Sequence, residues 1–253
     1  MNTNSNVYTV IYTTIVVVIV AAALAFVSVK LGPKQAANEK AETISQILTA
    51  AQFGDASHWQ EIGNASTIEF YKENLEAAYL IGMDGEKKGD LDKASAQILS
   101  TSDLKAQNYN IKDASKAAAA ELPVYEFKNG ISVIPVYGAG LWGPVWGYIA
   151  FEKNLSTIAG AYFDHSSETP GLGGKIKDDP AFRAQFCGKN IDFSDAQPFN
   201  IVKGGAPEGK SNAIDAITGA TMTSKGVDAA INVWLKAYEK HLAAVETINT
   251  EEE

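Results

Sequence analysis

The sequence predicts an α+β fold, an antiparallel sheet packed with helices, carried behind a single N-terminal transmembrane helix. Three observations point there. An uncharged apolar run opens the chain. Short β-branched and aromatic runs divided by glycine turns fill its second half. A strongly periodic helix follows them. At 253 residues the chain is long enough for one sizeable domain or two small ones with a substantial core.

The opening run, Val7 to Val29, has no charged side chain. As a helix rising about 1.5 Å per residue it spans about 35 Å, enough for a hydrocarbon core of about 30 Å. Tyr8 and Tyr12 at one end, and Lys30 and Lys34 at the other, read as interfacial anchors to a lipid bilayer. A cleaved signal peptide is the competing reading; the uncharged start and the length of the run argue against it. Lys30, Lys34 and Lys40 follow the helix, which by the positive-inside rule favours a cytoplasmic soluble part.

Charge and thiol content narrow the function. The chain has 21 basic and 30 acidic residues, a net charge of -9, and Arg183 is its one arginine. A reader of phosphate backbones needs a basic face, so nucleic acid is not an expected partner. The single cysteine, Cys187, rules out an intramolecular disulfide and a cysteine-only cluster made by this chain alone. In "AFRAQFCGKN" it reads as a buried or half-buried structural thiol in the last turn of a short helix. His58, His165 and His241 lie in no nucleophile motif.

The elements follow in order. Residues 1–34 are expected to be the anchor. Residues 35–121 read as a helical linker or subdomain, with helices over 36–54, about 91–106 and about 114–121. From Leu122 the texture becomes "VYEFK", "ISVIPVYG", "VWGYIAFE" and "TIAGAYFDH", four strands, with Asn129-Gly130 as a hairpin turn between the first two. Phe199–Gly204 is a further strand. After Ser224, Val227, Ile231, Trp234, Tyr238, Leu242 and Val245 recur at helical spacing, and residues 122–246 form the second domain. The tail, 247–253, is acidic.

Four stretches stand out chemically. "GAGLWGPVWG" (Gly138–Gly147) sets Trp142 and Trp146 among glycines, so a planar ring can approach the backbone, or the tryptophans simply pack the core. "HSSETPGLGGK" (His165–Lys175) offers Glu168 and Thr169 at a sheet end. It does not fit a dinucleotide fingerprint, and two ligands are too few for a metal. "QPFNIVKGGAPEGKS" carries Lys203 and Lys210 on a glycine-rich loop, where solvation is the plain reading. "DAITGATMTSKG" (Asp215–Gly226) gathers four hydroxyls before the last helix. Thr223 or Ser224 suits an N-cap. Thr218 and Thr221 are left over, beside a helix terminus that favours phosphate.

These residues resemble the FMN-binding domain family, whose flavinylation pattern is Asp-x-x-Ser/Thr-Gly-Ala-Thr. Asp215-Ala-Ile-Thr218-Gly219-Ala220-Thr221 matches every fixed position. "ETPGLGG" is similar to the family's second flavin-contacting loop and "LWGPVWG" to its third. The resemblance covers roughly residues 120 to 235 plus the anchor.

It implies covalent FMN, its phosphate joined to Thr221 by a flavin transferase that recognises Asp215, Thr218, Gly219, Ala220 and Thr221. It also implies that Trp142, Glu168, Thr169, Leu172 and Gly173 lie near the ring system, with Thr218, Gly219, Ala220 and Thr223 around the phosphodiester. No acid–base catalytic residue and no metal are expected. The implied function is electron transfer among the subunits of a membrane complex in the bacterial inner membrane, with the soluble domain in the periplasm, against the lysine pattern. Within the family, the extra length behind the anchor is similar to the anchored flavin subunit of sodium-translocating NADH:quinone reductases. The G subunit of Rnf-type complexes shares the anchor and the pattern. A structural subunit without cofactor is the alternative from another class.

Overall fold

The computed structural model describes residues 6–249, so the end of the acidic tail, 250–253, lies outside the described residues. The chain divides into two compact units, one up to Ala41 and one from Glu42 onward. Helix α1 (Asn6–Ala50) starts in the first and ends in the second. In the first unit it leaves Val10, Ile15, Val18 and Phe26 exposed. The Tyr8 and Tyr12 rings stack at 6.1 Å, and Lys30 Nζ lies 5.7 Å from the centre of the Phe26 ring. Among the described residues α1 is the one helix long and apolar enough to cross a membrane.

The second unit is built on a six-stranded antiparallel sheet. Its strands are β1 (Leu75–Ile81), β2 (Lys87–Asp90), β3 (Leu122–Phe127), β4 (Ser132–Ala139), β5 (Pro144–Phe151) and β6 (Ile158–His165), in the order β2-β1-β3-β4-β5-β6. Side chains alternate across a strand, and here both faces are apolar. Val124, Ile134, Val136, Ile149 and Phe163 point into one core, completed by Ile231, Trp234, Leu235 and Tyr238 of α6 (Thr221–Asn249). Tyr125, Val133, Tyr148, Ala150 and Tyr162 point into another, completed by Ile44, Ile47 and Leu48 of α1 and by Trp59 and Tyr71 of α2 (Ala56–Asn74). Helix α3 (Thr101–Lys112) adds Leu104 to the first core. Two short helices, α4 (Lys175–Asp178) and α5 (Pro180–Ala184), follow β6. A parallel pair, β7 (Asn200–Val202) and β8 (Ala213–Asp215), leads into α6.

The four strands expected from 124 to 165 are present within about two residues, the usual latitude at element ends. Gly130, at φ +84°, makes the turn between β3 and β4. Other expectations change. The helix expected over 91–106 is displaced to Thr101–Lys112. Asp92 ties down Ala94 and Ser95 in a turn, and a capping box between Ser100 and Asp103 starts the helix. The stretch 114–121 holds one short turn of tighter helix, Ala117–Ala119. Residues 75–90, read as polar and helical, supply β1 and β2. Cys187 is exposed rather than buried or half-buried, because Phe186 takes the inward position beside Phe163 and Phe199.

Trp234 joins α6 to the sheet, fully buried, with its indole N–H donating to Tyr137 O at 2.9 Å and Asn108 Oδ1 at 3.2 Å. Trp234→Ala is expected to destabilise this unit by about 3–5 kcal/mol, read as a lower denaturant midpoint. An unchanged midpoint would show that α6 does not depend on it.

Candidate functional site

Three of the four singled-out stretches meet at one end of the sheet. The β4–β5 turn closes through Gly140 N–H donating to Gly143 O at 2.7 Å, which projects Leu141 and Trp142 outward. The loop after β6 is held at both ends. His165 Nδ1 accepts from Glu168 N–H at 3.1 Å, and Thr169 O accepts from Gly174 N–H at 3.0 Å. Leu172 is exposed at the tip of this loop. The third stretch runs from β8 into α6.

Glu168 binds them together. Its carboxylate is buried, only 4% exposed. Oε1 accepts from Trp142 N–H at 2.9 Å, and Oε2 accepts from the Thr223 hydroxyl at 2.6 Å. A buried carboxylate is tolerated only when its oxygens are hydrogen-bonded. The room comes from two glycines: a Cβ at Gly140 would lie 2.5 Å from Oε1 and one at Gly173 2.4 Å from Oε2. Ser167 Oγ adds a bond to Trp142 O at 2.9 Å.

Helix α6 begins earlier than the sequence suggests, at Thr221, with Ser224 N–H donating to Ala220 O at 2.9 Å. That corrects the expected cap. Ala220 holds the capping position and has no side chain to cap with. Thr223 is committed to Glu168, and Ser224 Oγ accepts from Ile217 N–H at 3.1 Å. Among the described residues no group accepts from the backbone N–H of Thr221, Met222 or Thr223. The first turn of the longest helix in this unit therefore offers open donors and positive partial charge, with the half-buried Thr221 side chain at its first position.

The expected site residues separate by burial. Trp142, Thr169, Leu172, Thr218 and Gly219 are exposed around the helix start, Thr221 is half-buried, and Glu168, Gly173, Ala220 and Thr223 are buried beneath them. Asp215 is exposed at the end of β8. Met222, 57% exposed beside Thr221, is not singled out by the sequence, which places the last helix only after Ser224 and leaves Met222 among the hydroxyls of the preceding turn. Among the described residues no group of three or more metal-ligating side chains is found.

It also missed a polar cluster behind the loop. Asp164, 2% exposed, accepts from Gln46 Nε2 at 2.9 Å, Lys177 Nζ at 2.8 Å and His165 N–H at 2.7 Å. Gln46 Oε1 accepts in turn from the Trp146 indole at 3.2 Å. The one available signal was an acid ending the apolar strand "TIAGAYFDH". Burial works against the charge on Lys177, but the hydrogen bond and attraction of Asp164 outweigh it and raise the ammonium pKa above 10.5.

The FMN-binding domain model matches residues 140–236, so the fold and this site define an FMN-binding domain. The C subunit of the Na(+)-translocating NADH-quinone reductase of Vibrio campbellii is 42% identical over 117 residues, 44% of this chain and 44% of that one. The chain thus aligns with less than half the length of that relative. With the C subunit of Vibrio anguillarum the identity is 31% over 216 residues, 82% of each chain. The solved C subunit of Parabacteroides distasonis superposes with a TM-score of 0.66 at 32% identity, covering 84% of this chain and 96% of that one. The solved Shewanella oneidensis protein gives 0.63 at 25%, covering 83% and 99%. The chain belongs to the family formed by the C subunits of Na(+)-translocating NADH-quinone reductases.

FMN joins an apolar planar ring system to a phosphate, and the residues present fit both halves. Exposed Trp142, Leu172 and Met222 are suited to the ring. The open donors of α6 are suited to the phosphate.

Two outcomes are expected. Glu168→Ala leaves the Thr223 hydroxyl and Trp142 N–H without their partner and should cost about 1–3 kcal/mol. Glu168→Gln, which keeps an oxygen and the side-chain length, should lose less in thermal unfolding; equal losses would mean the bridge is not what matters. The raised pKa of Lys177 means its ion pair contributes stability below pH 10.5, lost as pH rises through the raised value. Thermal melts of the parent should fall more steeply in that range than those of Lys177→Met.

Proposed function

We propose that this chain is the membrane-anchored, flavin-carrying subunit of a sodium-pumping NADH:quinone oxidoreductase. FMN is joined to Thr221 through a phosphoester, and electrons pass through it between redox centres on partner subunits. One observation carries the reading. A long helix starts with open N–H donors, no capping side chain, and a threonine at its first position. A phosphate on that hydroxyl satisfies donors that nothing else in the described chain satisfies.

The residues divide the work. Trp142, Thr169, Leu172 and Gly173 hold the ring system, with Glu168 and Thr223 bracing them from below. Thr218, Gly219 and Ala220 surround the phosphodiester. Asp215, Thr218, Gly219, Ala220 and Thr221 make up the sequence pattern on which a flavin transferase acts. During maturation the Thr221 hydroxyl oxygen attacks the flavin-bearing phosphorus of a phosphoanhydride donor held by that enzyme. The anhydride P–O bond breaks, the other phosphate leaves with its electron pair, and the hydroxyl proton goes to a base of the transferase. When bound, FMN supplies one- and two-electron transfer. This chain positions it, limits water on one side through the Trp142 and Leu172 loops, and moves no proton of its own.

Covalent attachment suits a carrier that turns over repeatedly, since dissociation is abolished and the flavin stays at high effective concentration beside its partners. The proposed organisation is an anchor over 1–34 in the bacterial inner membrane, an intervening segment over 35–121, and the FMN-binding domain over 122–246 in the periplasm. Three lysines after the helix favour the opposite side, but other subunits of the complex also set topology, and the transferase acts on the outer face.

The intact mass of the chain, expressed in its membrane with a flavin transferase, should rise by one FMN less water, with fragmentation placing the gain at Thr221. Thr221→Ala should remove that gain completely while the domain still folds. Full flavin content in this variant would move the attachment elsewhere. Gly219→Val should also block modification: φ is +83° there, and a Cβ would meet Leu172 at 3.1 Å. Normal labelling of that variant would count against a close-fitting loop.

A further inference from the structure

Asp215 stands just before the hydroxyl-rich turn, exposed at the end of β8. Its carboxylate is nevertheless engaged. Oδ1 accepts from the Ala206 N–H at 2.7 Å, inside the connection between β7 and β8. Its own N–H donates to Gln185 Oε1 at 2.9 Å. The next residue, Ala216, donates to Val202 O at 2.9 Å, where that connection begins. The far end of the connection is held by Lys210 Nζ, 3.3 Å from Asp195. Among the described residues, the Asp215 bond is the one hydrogen bond made to residues 203–206.

Loop 203–210 is therefore folded back over the end of β8, against the segment that leads into Thr218–Thr221. Lys203, Pro207, Glu208 and Lys210 are exposed on it, and none of them belongs to either core. The loop is held at Asp215, three residues before Thr218, and its exposed side chains form surface and not core. An enzyme working on Thr221 must also leave room for the flavin at the turn itself, so part of its grip has to fall on neighbouring surface.

We propose that Asp215 is a positioning residue. It fixes loop 203–210 beside Thr218–Thr221, and loop and turn together form the face that the flavin transferase engages. This rests on the reading that Thr221 is modified. The role asked of Asp215 is acceptance of one backbone hydrogen bond, which needs an oxygen of the right reach and not a negative charge. Direct recognition of the charge by the transferase is the competing account, and the two part company at asparagine.

The experiment follows covalent FMN on the full chain, co-expressed in its membrane with the transferase, by flavin fluorescence and intact mass, with the initial rate of labelling as readout. Asp215→Ala should slow labelling about fivefold, the loss expected for one ordinary hydrogen bond. Asp215→Asn, which keeps the acceptor, should stay near the parent rate. Ala206→Pro removes the donor without touching the motif and should match Asp215→Ala. Hydrogen exchange gives an independent reading: the Ala206 amide should be protected in the parent and in Asp215→Asn, and open in Asp215→Ala. If Asp215→Asn falls as far as Asp215→Ala while its Ala206 amide stays protected, the charge is what is recognised and the proposal is overturned. Parent-rate labelling of a folded Ala206→Pro overturns it too. A parent chain that takes up no covalent FMN would instead sink the reading of Thr221, and this inference with it.

Discussion

Burial of the sheet on both faces is the constraint from which the rest follows. Every residue of β4 from Ser132 to Gly138 is buried, so neither face of the strand is left to water. Such a sheet needs a layer on each side. Helix α6 supplies most of one, and the end of α1 with α2 supplies the other. With both faces closed, polar chemistry is confined to the strand ends. The β4–β5 turn and the loop after β6 emerge at the same end, where α6 begins. Layer packing thus brings the three stretches to one end of the sheet, and hydrogen bonds among them then tie them together.

Two buried acids stabilise that convergence. Glu168 reaches Trp142 and Thr223, 26 and 55 residues away in the chain. Asp164 reaches Gln46, 118 residues away. A carboxylate withdrawn from water is costly unless its lone pairs are filled; Glu168 fills them from distant segments, and Asp164 from Gln46, Lys177 and the adjacent His165 N–H. The polar groups that would weaken the core if left alone become the ties that hold its rim. Glycine is required at Gly140 and Gly173 because a carboxylate oxygen occupies the space a Cβ would need.

Legibility followed the strength of the local signal. The run from Leu122 to His165 was readable because β-branched and aromatic residues between glycine turns leave few other conformations open. The opening helix was readable because an uncharged apolar run of that length favours continuous helix. "KKGD" was not readable as β2: it carries no apolar signal, and it is a strand because β1 offers it backbone partners. Residues 91–106 look helical by spacing, yet Asp92 and the Ser100–Asp103 box decide where the chain turns and where the helix starts. Local hydrogen bonds from short polar side chains overrode the periodicity.

The same division runs through the site. By itself the sequence determined the strand alternation, the apolar opening helix, the amphipathic last helix, and the spacing of Asp215, Thr218 and Thr221, since each depends on residues within a few positions of one another. Only the tertiary structure decided that α6 starts at Thr221 behind an uncapped Ala220, that Thr223 serves Glu168 instead of the helix end, and that Asp215 holds Ala206. A hydroxyl or a carboxylate can satisfy several partners equally well in the extended chain. Which partner it takes is set by what packing brings within about 3 Å, and that distance is not a property of any short stretch of sequence.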